Sequence, residues 1–226
     1  MKRLTVFALF TLLFFAVAAH AQCGPGCFFY GGDYDSNHPN ADSLTNENDL
    51  TVPNPTVQYP VGAATYQNFD IDPNKPPVVV TGLFTNNMSS LSPAPTSAFW
   101  QICWGLPSAP SCLSGTVGGA NFTYTLTGRG DFGYMEYHDL VILNPPVVLN
   151  PTTATKYWFA VVPQAPSSLG RSFNSNSFGL NQVGTDTDNL QYLKSPVYTS
   201  NKFVNANTFG VFPKFSSGVC VGTGPC

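Results

Sequence analysis

The stretch Asn121-Phe-Thr-Tyr-Thr-Leu-Thr127 places an aromatic or aliphatic residue at every second position and a threonine between them. Successive side chains of a β-strand point to opposite faces of the sheet. This alternation therefore predicts a strand with Phe122, Tyr124 and Leu126 inward and the threonines outward. β-Branched and aromatic residues also suit a pleated, half-buried surface.

The same strand pattern recurs along most of the chain. In Ala98-Phe-Trp-Gln-Ile-Cys-Trp104 the even-numbered residues share one face and the odd-numbered residues share the other. Further strands are predicted at residues 77–85, 133–143, 156–162 and 208–215. Pro, Gly or β-branched runs interrupt every stretch that begins to resemble an amphipathic helix. We therefore predict an all-β, antiparallel β-sandwich or jelly roll with about ten to twelve strands.

Residues 1–21 are organised like a secretory signal peptide. A basic start precedes an apolar run over 4–19, and Ala19-His20-Ala21 supplies the small residues that signal peptidase requires. We expect secretion from a bacterial cell and a mature chain that starts at Gln22. A retained membrane anchor is disfavoured because the run is shorter than the roughly 20 residues that span a bilayer. Lipidation at Cys23 is disfavoured because Gln22 stands where a small residue is expected.

The mature residues 22–226 are expected to form a single domain. Within it, residues 31–60 are rich in Asp, Asn, Ser and Pro and predict a long ordered loop or an extended edge segment. Since Lys2 and Arg3 leave with the signal, seven basic residues remain against 12 acidic ones, a net charge of about −5. This charge argues against nucleic acid or an anionic membrane as a partner.

Six cysteines follow the signal, at positions 23, 27, 103, 112, 220 and 226. An even number of cysteines in an exported chain favours disulfides, here three. Cys103 and Cys112 flank a turn-rich segment, which predicts a local bridge across a hairpin. The other four either close local loops, 23–27 and 220–226, or tie the chain ends together, and we favour the local loops. Metal binding by Cys23 and Cys27 is disfavoured, because no matching His or Cys pair lies nearby in the sequence.

The segment Asp33-Tyr-Asp35-Ser-Asn37 has the oxygen spacing that opens a calcium-binding loop, and Asp42 follows it. Calcium takes six to eight hard oxygen ligands, which clustered Asp and Asn side chains supply. We therefore name Asp33, Asp35, Asn37 and Asp42 as candidate Ca²⁺ ligands, although His38 and Leu44 break the EF-hand pattern. The alternative is a solvated turn whose side chains bond their own backbone. Residues 186–189 form a second acidic cluster that either joins this site or makes a turn.

The segment Glu136-Tyr-His138-Asp139 brings two acids and an imidazole together. In a strand, Glu136 and His138 share one face while Asp139 points to the other. These three residues are the candidate catalytic groups, as a general base with an orienting partner or as carboxylates for glycoside hydrolysis. The chain has no G-x-S-x-G nucleophile elbow. The alternative is an exposed polar strand face, which we favour.

Three tryptophans and ten tyrosines are enough for a sugar-stacking platform. Trp100 and Trp104, however, lie on the predicted face of Ile102, and Trp158 lies within an apolar strand. Packing in the core is therefore the expected role of all three.

Two regions resemble a loose group of uncharacterised exported bacterial proteins, some with C-terminal surface-sorting signals. Val80-Thr-Gly-Leu-Phe-Thr-Asn86 and the following Ala98-Phe-Trp-Gln-Ile102 are similar to the opening strands of that group. Tyr157-Trp-Phe-Ala-Val-Val-Pro163 and Phe173-Asn-Ser-Asn-Ser-Phe-Gly179 are similar to its second half. The resemblance implies a β-sandwich at or beyond the cell surface and no active site. This chain lacks the sorting helix, which favours free secretion over anchoring.

Taken together, these patterns predict a secreted, non-catalytic binding, adhesion or matrix-type protein. Polysaccharide or a surface protein is the expected partner, and carbohydrate is the ligand class to test first. The alternative is a secreted hydrolase that acts on polysaccharide through Glu136 and Asp139 or the Asp33–Asp49 region.

Overall fold

The computed structural model describes residues 23–34, 44, 46–49, 61–131, 133–165, 170–196, 198–210, 214–223 and 226. Over these residues the chain forms antiparallel sheets without an α-helix, and its helical segments are the short 3-10 turns Gly119–Asn121 and Ala206–Thr208. Within this described part, no helix has the length and apolar character needed to cross a membrane.

Two large sheets form the molecule, and their strands are numbered here in chain order. Sheet I contains, in spatial order, β1 (Cys27–Tyr30), β15 (Ser217–Val221), β4 (Val78–Ser89), β8 (Tyr134–Leu149) and β7 (Phe122–Asp131), with β10 (Ser172–Asn174) paired to β4. Sheet II contains β13 (Val204–Asn205), β12 (Tyr192–Lys194), β3 (Val61–Asp70), β9 (Lys156–Pro163), β5 (Ser97–Leu106) and β6 (Ala109–Gly118), with β2 (Glu47–Asp49) paired to β3. A small pair, β11 (Asn176–Ser177) with β14 (Lys214–Phe215), lies beside them.

The hydrophobic core lies between the inner faces of the two sheets. Sheet I contributes Leu83 and Val141, and sheet II contributes Ile102 and Phe159, all of which are almost fully buried. Alternating apolar residues from both sheets are what close a sandwich core. The expectation of an all-β antiparallel sandwich is therefore confirmed.

Strand β5 is buried on both faces, and its residues divide between the faces as the alternating sequence predicts. Ala98 and Ile102 face the main core, while Phe99 and Cys103 join a second cluster with Trp158 on the other face of sheet II. This second cluster is covered by the chain that carries β12 and β13. Core packing is confirmed for Trp158, which is buried.

The three disulfides follow the local pairing that the cysteine spacing favours. They join Cys23 to Cys27, Cys103 to Cys112 and Cys220 to Cys226. Cys103 and Cys112 are direct cross-strand partners in the β5–β6 hairpin. Disulfides of this kind persist in an oxidising compartment.

Two details of the strand predictions are wrong. Leu126 lies on the same strand as the buried Phe122, yet about half of its surface is exposed, because β7 is the last strand of sheet I and this end of it lies beyond the packed core. Thr208 belongs to a 3-10 turn, and in the predicted strand 208–215 only Lys214–Phe215 pairs among the described residues. Residues 31–60 are predicted to form a long ordered loop or an extended edge segment, and Glu47–Asp49 within them agrees with the second alternative by forming a short strand beside β3.

Candidate functional site

The three candidate catalytic residues lie on β8 and point to opposite sides of sheet I. Glu136 pairs with Met88, and Asp139 pairs with Thr85 on the neighbouring strand β4. Both carboxylates are fully buried, so the expected exposed polar strand face is wrong for Glu136 and Asp139. Loops pack over the outer face, where Glu136 and His138 lie, and sheet II covers Asp139.

Glu136 belongs to an ionic cluster on the outer face. Arg129 Nε lies 2.5 Å from Glu136 Oε2, and its Nη1 lies 3.3 Å from Asp33 Oδ1. Thr127 Oγ1 donates a second bond to Glu136 Oε2, at 2.8 Å. One guanidinium thus contacts both carboxylates, and a buried charge needs such an ionic partner.

His138 is held in its neutral form beside this cluster. Its Nδ1 lies 2.9 Å from Asn86 Oδ1, an acceptor, so this nitrogen carries the proton. Burial lowers the pKa of His138 to about 4, and the positive charge of Arg129 adds to the effect. The ring packs against Phe84, with 4.7 Å between the ring centroids. The imidazole is thus partly buried and held by Asn86 and Phe84.

Asp139 lies between the two sheets, on the face opposite Glu136. Asn87 Nδ2 donates to Asp139 Oδ2 at 2.6 Å, and Asn46 Nδ2 donates to Asn87 Oδ1 at 3.0 Å. Burial raises the pKa of Asp139 well above the usual range for an aspartate, against the weaker effect of the bond from Asn87. Glu136 and Asp139 therefore lie on opposite sides of a sheet, and they cannot flank one glycosidic bond.

The calcium prediction falls mainly on residues outside those that the structure describes, namely Asp35, Asn37 and Asp42. Asp33 is described and buried, and both of its oxygens have partners. Tyr30 Oη donates to Asp33 Oδ1 at 2.7 Å, and Asn181 Nδ2 donates to Oδ2 at 2.6 Å. In the described part of the chain, no three acidic, His or Cys side chains form a metal-binding group. Calcium binding stays a prediction.

The second acidic cluster forms a turn that is anchored by two lysines. Lys214 Nζ lies 3.3 Å from Asp186 Oδ2, and Lys156 contacts Asp188. Burial raises the pKa of Asp186, and the charge of Lys214 opposes that rise. Gln67 on β3 donates to the same Asp186 oxygen at 3.1 Å. These contacts tie the turn to sheet II, so its acids serve the fold.

An open cleft of about 340 Å³, here called cleft 1, lies where β6 of sheet II faces β8 of sheet I. β7 begins at Phe122, which pairs with Val141, so β8 continues beyond the end of its β7 partner. The gap at this edge of sheet I exposes the space between the sheets. The cleft is lined by Trp100, Leu113, Ser114, Gly115, Thr116, Val117, Leu143, Asn144, Pro145, Pro146 and Val147.

Trp100 forms the aromatic wall of cleft 1. It is partly exposed, and it also packs against the main core. Its indole lies over Gly115, where an added Cβ would be 2.9 Å from Trp100 Nε1. Glycine at position 115 therefore provides the space that the indole occupies.

Every residue that lines cleft 1 is uncharged. The lining combines an indole and two prolines with the amide of Asn144 and the hydroxyls of Ser114 and Thr116. Such a surface presents apolar faces together with hydrogen-bonding groups, as ligand sites commonly do. Among the described residues, the lining contains no carboxylate and no imidazole, the side chains that most often act as general acids and bases.

Sequence reasoning named Trp100 but assigned it to the core, and it missed the rest of cleft 1. The available signal was Pro145-Pro146, because neither residue can donate a ladder hydrogen bond. Two prolines inside a strand mark an irregular, exposed edge. The position of that edge opposite β6 depends on the packing of the two sheets, which the strand pattern does not contain.

Comparison of the chain with protein-family models, with curated proteins and with solved structures gave no match. The geometry of cleft 1 therefore carries the functional argument.

Proposed function

We propose that this chain is a secreted, non-catalytic binding protein whose cleft 1 holds a neutral polysaccharide. The observation that carries the proposal is the lining of the cleft, in which a half-buried tryptophan stands among wholly uncharged residues. A signal-like N-terminus and three disulfides support an extracellular role, of the adhesion or matrix type.

The chemistry of the lining fits pyranose rings. An indole presents a flat apolar surface to the C–H face of a sugar, and its π-system attracts the slightly positive hydrogens there. The side chains of Asn144, Ser114 and Thr116 supply donors and acceptors for hydroxyl groups. The absence of charge in this lining favours neutral chains over uronates or sulfated polymers, which would need Lys or Arg partners.

The geometry gives a hydrolase less support than a binding protein. Glu136 and Asp139 are enclosed on opposite faces of sheet I, and neither lines cleft 1. A glycosidase needs two carboxylates on either side of the bond that it cleaves.

The test is calorimetric titration of the oxidised protein with soluble neutral glucans, xylans and mannans, and with alginate and heparin as anionic comparisons. We expect binding to at least one neutral polymer. Trp100→Ala should weaken it by about tenfold or more, equivalent to about 1.4 kcal/mol. Trp100→Phe, which keeps an aromatic ring, should lose less affinity than Trp100→Ala.

Tyr198→Ala is the matched control, because Tyr198 is an exposed aromatic residue that does not line the cleft. Thermal unfolding of each variant identifies any loss of fold, and the exposed Asn144→Ala provides a second test that leaves the core intact. Absence of binding to every neutral polymer, or equal binding by wild type and Trp100→Ala, would contradict the proposal.

A further inference from the structure

A second open cleft, cleft 2, of about 420 Å³, lies on the outer face of sheet I. Its floor is formed by β4 and β8, and one wall is the C-terminal loop closed by the Cys220–Cys226 disulfide. Ile142, about two-fifths exposed, is one of its lining residues. The cleft is lined by Thr81, Gly82, Asn121, Leu140, Ile142, Leu143, Asn144, Pro146, Cys220, Gly222, Thr223 and Cys226, and again none of these side chains is charged.

A bulge in β8 separates the two clefts. Val80 pairs with Val147 and Gly82 pairs with Ile142, so the single residue Thr81 stands opposite the four residues 143–146. Pro145 and Pro146 lack the N–H that a ladder bond requires, so the bulge extends away from β4. Residues 144–146 are all exposed.

The bulge is a common wall of both clefts. Leu143, Asn144 and Pro146 line cleft 1 on one side and cleft 2 on the other. Three residue steps of extended chain span only about 10 Å, so a ligand that leaves one cleft over Asn144 enters the other directly. In both clefts the side chains supply the same mixture of apolar surface, hydroxyls and amides.

We propose that clefts 1 and 2 are two subsites for one neutral oligosaccharide chain, which crosses the bulge at Asn144–Pro146. The inference rests on the proposed function and extends it from a single cleft to a polymer track. Trp100 holds one end of the bound chain, and Ile142 with the C-terminal loop holds the other. Affinity should then depend on chain length, because a short oligosaccharide fills cleft 1 alone.

The experiment is a titration of the protein with gluco-, xylo- and manno-oligosaccharides that range from disaccharide to octasaccharide. We expect the Kd to fall by about tenfold with increasing length and then to level off, as the second subsite is filled. Ile142→Glu, which places a charge in cleft 2, should remove this gain for long chains and leave the Kd of short chains unchanged. Val148→Glu is the matched control, since Val148 is an exposed residue of the same strand that lines neither cleft.

The possible failures are distinguishable. A Kd that does not depend on length, or an equal effect of Ile142→Glu on short and long chains, overturns the two-subsite inference and leaves cleft 1 as a single site. Absence of binding to any oligosaccharide overturns the proposed function and this inference with it. Binding of an uncharged extended peptide, without binding of any saccharide, would also overturn both proposals. The clefts would then be a peptide-binding site.

Discussion

At the residue scale, Arg129 links two carboxylates that the chain keeps far apart in sequence. It binds Glu136 through Nε and Asp33 through Nη1, and Glu136 is fully buried. Tyr30 and Asn181 complete the bonds to Asp33, so the cluster fixes β1, the β7–β8 hairpin and the 177–183 segment against one another. Its role is to hold loops over the outer face of sheet I.

We expect Arg129→Leu to lower the free energy of unfolding by about 2–3 kcal/mol, because it leaves buried carboxylates without a cation. Adding Glu136→Gln to this variant should restore part of the loss, since it removes one of the uncompensated charges. Urea unfolding of both single variants and the double variant measures the coupling. Strictly additive losses would show that Arg129 and Glu136 do not stabilise each other.

The partly buried His138 should make the fold less stable in acid. The folded-state pKa is lowered to about 4, whereas an unfolded histidine titrates near 6.5. Between these values the unfolded chain binds a proton that the folded chain does not, so stability falls as the pH drops from about 6.5 to about 4. The loss should reach about 3 kcal/mol, since each pKa unit corresponds to about 1.4 kcal/mol, and it should level off below that window.

His138→Asn isolates this effect, because an asparagine amide can take the place of Nδ1–H opposite Asn86. The variant should lose less stability than wild type between pH 7 and pH 4 in urea unfolding. The raised pKa of Asp139 makes the folded state less stable as the pH rises, which is opposite to the effect of His138. Asp139 is present in both proteins, so its contribution to the pH dependence of stability cancels in the comparison. Equal pH dependence in the two proteins would be inconsistent with a buried neutral His138.

At the element scale, the β5–β6 hairpin shapes cleft 1. Its ten cross-strand pairs run without a bulge from Ser97–Gly118 to Leu106–Ala109, and the Cys103–Cys112 disulfide fixes their register. The regular register brings Gly115 opposite Trp100. A small residue on the edge strand thereby sets the position of the aromatic wall.

Gly115→Ala should displace the indole of Trp100, because the added Cβ would lie only 2.9 Å from Trp100 Nε1. Overpacking of this kind costs about 1–3 kcal/mol of stability. We expect a lower midpoint in urea, a changed tryptophan emission spectrum and weaker ligand binding at cleft 1. Ser114→Ala, on the neighbouring position of the same strand, should leave the emission spectrum unchanged. An unaltered spectrum in Gly115→Ala would show that the indole does not depend on this glycine.

At the scale of the whole molecule, the two ends of the described chain meet in sheet I. β15, the last strand, lies between β1, the first strand, and β4, with Cys27 directly opposite Cys220. A strand in this position contributes Val219 to the core and pairs on both sides. Because the pairing is non-local, sheet I cannot be completed until the last residues are present.

Removal of residues 217–226 should therefore abolish cooperative unfolding, which thermal denaturation followed by circular dichroism would reveal. The matched control removes only 222–226 and carries Cys220→Ala, so it keeps β15 and loses the Cys220–Cys226 loop. That control should fold with a stability lower by about 2 kcal/mol, the chain-entropy contribution of so short a loop. A cooperative transition after removal of 217–226 would contradict the central role of β15.

Much of the fold could be predicted from local sequence, since strand class depends on neighbours that are close in the chain. The two-residue period of 98–104 predicted both faces of β5 correctly, and cysteine spacing favoured the disulfides that the structure contains. The errors fall where burial depends on distant segments. Leu126 follows the inward pattern and is exposed, whereas Glu136 is polar and is enclosed.

Local patterns are sufficient to predict an all-β chain with local disulfides, because alternation, turn residues and short cysteine spacings act within a few residues of one another. The burial of particular carboxylates, the pairing of Arg129 with Glu136 and the cleft between β6 and β8 arise from the packing of the sheets and loops. Each of these depends on which strand lies opposite another across sheets or loops. The arrangement of the strands depends on the packing free energy of the whole core. No single segment of sequence contains that information.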